Sequence, residues 1–145
     1  MSMNRPIYES EEDRVNEQAL ADYLAERHDL LMYKMPIKLH LDYFATKGGR
    51  GVGFFEMRRR KVNMYQYDTM MLGMHKIQSA HNLTAATGLP CYFVVQWNDA
   101  KGICRIPPEE NVSVRWDWGG HNNRNDPQDM EPVAYWDISA FKELK

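Results

Sequence analysis

The stretch Lys38–Lys61, KLHLDYFATKGGRGVGFFEMRRRK, decides how this chain folds. Lys38 to Phe44 alternates in side-chain character and is rich in β-formers, Lys47-Gly48-Gly49-Arg50-Gly51 has the composition of a turn, and Val52 to Arg58 runs apolar and then charged. The segment therefore predicts two antiparallel strands about a tight turn. Folded about Gly49, it sets Asp42 opposite Glu56 and His40 opposite Arg58. Like charges facing each other across a strand pair destabilise it by roughly the 0.2–1 kcal/mol that an unlike pair contributes. The arrangement calls for a cation, and hard ions such as Mg²⁺ or Mn²⁺ bind through one or two carboxylates, water and phosphate oxygens. Side chains alternate along a strand, so Glu56 and Arg58 share a face. A register slipped by two residues, centred on Arg50, puts Arg58 opposite Asp42 and makes an ordinary ion pair; the sequence leaves both registers open.

With 145 residues, 43% hydrophobic and 26% charged, the chain reads as one soluble domain spanning residues 1–145. No apolar run approaches the roughly 18 residues needed to cross a bilayer. Met1 to Arg14 is polar and acidic, unlike a signal peptide, so a cytoplasmic location and no membrane partner are expected. Cys91 and Cys104 sit in apolar strand-like segments without metal-ligand spacing, which predicts reduced core cysteines. A formal net charge of −2 excludes an indiscriminate basic nucleic-acid binder but leaves a local cluster, Arg58-Arg59-Arg60-Lys61.

Residues 1 to 9 carry no periodic signal and read as an arm. From Ser10, a candidate cap, acids in the first turn and good helix formers predict a helix with the stripe Val15, Ala19, Leu20, Tyr23, Leu24. Glu17, and alternatively Glu12, borders that stripe as a candidate inward acid. Asp29 to Met35 predicts a strand that Pro36 confines to an edge. The segment from Met64 to Gly88 has helical period, with Asp68 or Thr69 as cap and Met70, Met74, Ile77, His81 and Thr84 at core spacing. Lys76 lies opposite Met74, a solvated lysine or one that reaches a phosphate. Cys91 to Trp97 is the unbroken apolar run of a strand covered on both faces. A turn at Asn98–Gly102 and a strand Ile103–Ile106 follow, then a break at Pro107-Pro108, a strand through Val112, Val114, Trp116 and Trp118, a polar loop from Gly119 to Pro127, and a last strand Val133–Ile138 before a turn at Ser139–Leu144. The expected fold is an α/β domain with a mixed sheet and one helix on each side.

An acid-bearing helix, then Asp42, then Glu56-Met57-Arg58, then a helix and a buried strand resembles the PD-(D/E)XK nuclease superfamily across about residues 10–106, leaving 107–145 as a C-terminal β extension. GFFEMRRR, the helix carrying Met74-His75-Lys76, and TGLPCYFVVQWND look like small uncharacterised bacteriophage proteins of that superfamily. The resemblance implies a restriction-endonuclease-like αβββαβ core and a Mg²⁺- or Mn²⁺-dependent nuclease acting on DNA in phage DNA processing or recombination, in the host cytoplasm. It implies metal ligation by Asp42 and Glu56, a supporting acid at Glu17 or else Glu12, and phosphate stabilisation by Arg58. Backbone contacts fall to Arg59, Arg60, Lys61 and Lys76, and a homodimer is possible, as among relatives that cut both strands. Arg58 stands where the family's lysine usually stands. Arginine stays protonated and cannot serve as a base, so a second reading stays open: a catalytically inactive member of the fold that binds nucleic acid or protein.

Other constellations carry less. His28, His40, His75, His81 and His121 show no zinc spacing, although His40, two residues before Asp42, could donate a proton or touch substrate. GGRGVG lacks the context of a phosphate loop. Trp116, Trp118, Tyr135 and Trp136 read as core and edge cover that could also stack bases.

Overall fold

A computed structural model describes residues 11–107, 114–120 and 130–145. The elements are α1 (Glu11–His28), β1 (Leu31–Lys34), β2 (Tyr43–Lys47), β3 (Arg50–Arg59), β4 (Thr69–Gly73), α2 (Met74–Thr87), β5 (Cys91–Gln96), β6 (Lys101–Ile106), β7 (Val114–Gly120), β8 (Met130–Asp137) and β9 (Lys142–Leu144), with short 3₁₀ turns at Ile37–Leu39 and Ile138–Ala140. Among the described residues, six strands form a mixed sheet in the order β1-β2-β3-β5-β6-β9, in which β3 and β5 run parallel, and three more form a second sheet, β4-β8-β7. The mixed α/β domain with two helices matches the fold expected from the sequence.

Alternation along β3 sorts the core into two layers. Phe55 and Met57 pack with Leu20, Ala21 and Leu24 of α1, whereas Phe54 packs on the other side with Phe93, Val95, Ile77, Ala80 and Trp136. Val94 joins the first layer while Phe93 and Val95 join the second, so β5 is covered on both faces, as its apolar run requires. Cys91 and Cys104 are buried thiols, not joined in a disulfide. The helix contact is shorter than the sequence stripe: Val15 is 58% exposed and Ala19 is exposed, because α1 rests on the sheet through its second half.

Three other expectations are corrected. β2 begins at Tyr43 and not at Lys38, since Ile37–Leu39 turns and His40 adopts a positive φ of 64°. Thr69–Gly73 is a strand, because its partner Val133–Asp137 offers ladder bonds that outweigh a weak helical period, and α2 starts only at Met74. The C-terminal strands are woven into the core: β8 pairs with β4, and β9, expected as a turn, pairs with β6 at the sheet edge. The arm at 1–9, the Ser10 cap, Pro108, Val112 and most of the polar loop lie outside the described residues.

The hairpin sets the site. Lys47 pairs with Arg50 across Gly48 and Gly49, whose φ values of 57° and 78° suit a two-residue type I′ turn. Beyond Thr46↔Gly51 the partners become Ala45↔Gly53, Phe44↔Phe54 and Tyr43↔Phe55, so Val52 is an extra residue, a β-bulge. One step further, Asp42 stands beside Glu56, and its N–H donates to the Phe55 carbonyl at 2.8 Å. The slipped register that would oppose Asp42 and Arg58 does not form.

Gly53 fixes where β3 meets β5. A Cβ there would lie 2.6 Å from the Pro90 carbonyl oxygen, the same oxygen that accepts from Phe54 N–H at 3.0 Å. Gly53→Ala is therefore expected to lower stability by about 1–3 kcal/mol, since backbone has to move. Urea unfolding checks this, and an unchanged midpoint would contradict it.

Candidate active site

Among the described residues the buried charged side chains are Asp42 and Glu56, 9% and 2% exposed. Burying a carboxylate is costly unless it is paired and hydrogen-bonded, and the chain supplies partners from three elements, β1, β3 and α2. Asp42 Oδ2 accepts from the Met57 N–H of β3 at 2.7 Å. Glu56 Oε1 accepts from Lys76 Nζ of α2 at 2.9 Å, and its Oε2 lies 3.5 Å from Arg58 Nη2. On the other flank Lys34 Nζ of β1 donates to Glu17 Oε2 of α1 at 3.0 Å and stands 3.7 Å from Asp42 Oδ1. Charges thus alternate along an arc, Glu17, Lys34, Asp42, with Glu56 beside it and Lys76 and Arg58 beyond.

The lysines do not balance the acids. Burial first and the neighbouring Glu56 carboxylate second push the Asp42 carboxyl from 3.8 up to about 7, against the partial opposition of the Lys76 ammonium and the Met57 N–H. Two carboxyl groups that resist being charged together are what an oxygen-liking divalent cation stabilises. Their donor chemistry fits Mg²⁺ or Mn²⁺, for which a few protein carboxylates suffice when water and phosphate oxygens fill the remaining positions. No group of three His, Cys, Asp or Glu able to hold a metal occurs among the described residues. Glu17 therefore reaches the pair through Lys34.

Several residues singled out in the sequence take other places. Arg59 is turned onto the β5–β6 connection, where its Nη2 donates to Asn98 Oδ1 at 2.8 Å and its Nη1 to the carbonyls of Gln96 and Arg60. Lys61 pairs with Glu12 at 2.6 Å on the exposed surface, which takes Glu12 away from the acid pair. Arg60 is half-buried. Lys76 is turned inward, its side chain only 20% exposed, and is no solvated lysine. His40 lies outside the β2–β3 ladder, in the bend before Asp42, its ring edge-on to His75 at 4.9 Å between centroids. Trp136 is core, while Trp116 is 50% exposed on β7.

Sequence reasoning missed Lys34. Nothing in DLLMYKM marks it, because its role follows from β1 pairing Lys34 with Tyr43 and from α1 docking above.

The family described as "Phage putative PDDEXK endonuclease" matches residues 3–144. The chain belongs to this family. Its place in this family agrees with the order of helices and strands in the fold. The fold of this family member is similar to that of Hjc, a Holliday junction resolvase from the archaeal hyperthermophile Archaeoglobus fulgidus. The TM-score is 0.58 over 90% of this chain and 92% of that chain, at 13% identity, a likeness of fold. A search of curated proteins returns no match. No helix among the described residues is long and apolar enough to cross a membrane.

Proposed function

We propose that this phage PDDEXK endonuclease family member hydrolyses phosphodiester bonds in DNA with Mg²⁺ or Mn²⁺ held by Asp42 and Glu56, in phage DNA processing or recombination in the host cytoplasm. The observation that carries the reading is the convergence of two buried carboxyl groups, where burial first and mutual repulsion second raise Asp42 to about 7. The bound cation would lower the pKa of a coordinated water and neutralise charge developing on the phosphate. The chain's residues do the rest by position. Met57 N–H fixes the Asp42 carboxylate. Glu17, tied to Lys34, is a supporting acid that steadies the Asp42 flank. Arg58, 34% exposed and 3.5 Å from Glu56, offers a permanent positive charge at the lip of the site, where a phosphate would lie.

The test is cleavage of duplex and junction DNA by the purified chain in Mg²⁺ or Mn²⁺ and in chelator. Metal-dependent cleavage is expected. The arginine at position 58 favours one alternative, a binding module without catalysis. Absence of cleavage, with Asp42→Ala and Glu56→Ala variants binding DNA as the wild type does, would replace the nuclease reading by that one.

Backbone contacts are proposed for Arg60 and Lys61, with Arg59 shaping the loop behind them. Arg60→Ala combined with Lys61→Ala is expected to weaken DNA binding alike on all sequences and to flatten the slope of log affinity against log salt by about one per lost contact. An unchanged slope would remove them from the interface.

A further inference from the structure

Two cations reach the two oxygens of Glu56, and they are not equivalent. Lys76 Nζ is 2.9 Å from Oε1 with its side chain 20% exposed; Arg58 Nη2 is 3.5 Å from Oε2 with its side chain 34% exposed. The lysine charge is thus the closer and the less hydrated, and a charge acts more strongly where water is excluded. Its charge also favours the ionised form of Asp42, against the effects of burial and Glu56. Lys76 is carried by the first turn of α2, whose Ile77 and Ala80 are packed in the core, so the ammonium is delivered by a rigid element. An ammonium has three donors. One is on Glu56, which leaves others to face a substrate oxygen.

We propose that Lys76 is the positioning residue of this site: it selects which oxygen of Glu56 faces the metal and holds the positive charge nearest the scissile phosphate. This rests on the nuclease reading above and takes Lys76 out of the outer DNA-backbone contacts. A lysine at position 58 would approach the same carboxylate from its other oxygen, which makes the assignment testable by exchange.

The experiment measures single-turnover cleavage, DNA affinity in chelator, Mn²⁺ affinity by calorimetry and thermal melting for four proteins: wild type, Lys76→Met, Lys76→Gln, and Lys76→Met combined with Arg58→Lys. Lys76→Met is expected to slow cleavage at saturating DNA by about 100-fold, with the half-saturating DNA concentration unchanged. It should bind Mn²⁺ more tightly, because a competing positive charge has gone. The double variant should recover at least about tenfold of the lost rate, the share a repositioned charge can return. Should Lys76→Met fail to fold, Lys76→Gln, which keeps a donor without the charge, is held to the same outcomes. A raised half-saturating concentration with the maximal rate kept would make Lys76 a backbone contact and overturn the proposal. So would a double variant as slow as Lys76→Met, or weaker Mn²⁺ binding. A wild type inert in both metals sinks the nuclease reading itself, whereas an active wild type with an equally active Lys76→Met sinks only this inference.

Discussion

Glu56→Gln is expected to abolish metal-dependent cleavage, by on the order of 1,000-fold or more, and at the same time to raise the melting temperature at neutral pH. The two effects have one cause. Glu56 is 2% exposed and stands beside Asp42, 9% exposed, so at neutral pH the fold carries a repulsion that only function requires. The amide has nearly the volume of the carboxylate and keeps an oxygen for Lys76 at the position of Oε1, while its NH₂ gives up only the longer, 3.5 Å contact with Arg58 and carries no charge to repel Asp42. Each kcal/mol so gained raises the midpoint by about 2–4 °C in a chain of this size. Glu56→Ala also loses cleavage but opens a cavity beneath Lys76, so the glutamine variant separates chemistry from folding more cleanly. Calorimetric melting beside a cleavage assay settles it: a glutamine variant that cuts at the wild-type rate, or that melts well below wild type, is incompatible with a strained acid pair.

The second large effect is a coupling between protons and metal. Asp42 has a folded-state value of about 7 against 3.8 for the ordinary carboxyl, through burial first and the Glu56 carboxylate second. Since the folded value is the higher, the folded chain holds a proton that the unfolded chain has released. The resulting stabilisation is complete below 3.8 and is lost as pH rises through about 7. Metal-free protein should therefore become less stable from mildly acidic to neutral pH, against the usual behaviour of surface carboxylates. A cation binds only the deprotonated group, so affinity for Mn²⁺ should rise by about tenfold per pH unit below neutrality and level off above it. Calorimetric titration in buffers of different ionisation enthalpy should count about one proton released per metal near pH 5.5 and almost none near pH 8. An affinity flat across that range would mean Asp42 is already ionised, and the site would lose its main argument.

Much of this was legible in the order of the residues. Cys91 to Trp97 is apolar without interruption, which suffices to place a strand between two covered faces, and Gly48-Gly49 can turn the chain tightly because neither residue carries a Cβ. The pairing of Asp42 with Glu56 was a possible register among others. The turn alone, Lys47 against Arg50, would set Asp42 opposite Phe55 and send Glu56 to the α1 face; the extra residue at Val52 shifts the ladder by one and brings the carboxylate round to Asp42. Local propensity cannot choose that bulge. It is held where Gly53 meets the Pro90 carbonyl, in a strand that arrives only after β4 and α2 have crossed over.

The cations show the same division. Arg58 follows Glu56 by one strand period, so its presence at the site is written in the chain. Lys34 and Lys76 are not, because their approach depends on an edge strand pairing with β2 and on a helix laid across the far face. Sequence alone determined the two acids, the hairpin strands beside them and the layered α/β frame, since these follow from side-chain period and backbone freedom. Which oxygen each acid presents, and which positive charge stands nearest, was decided only by tertiary packing, because a contact between distant segments has no local signature.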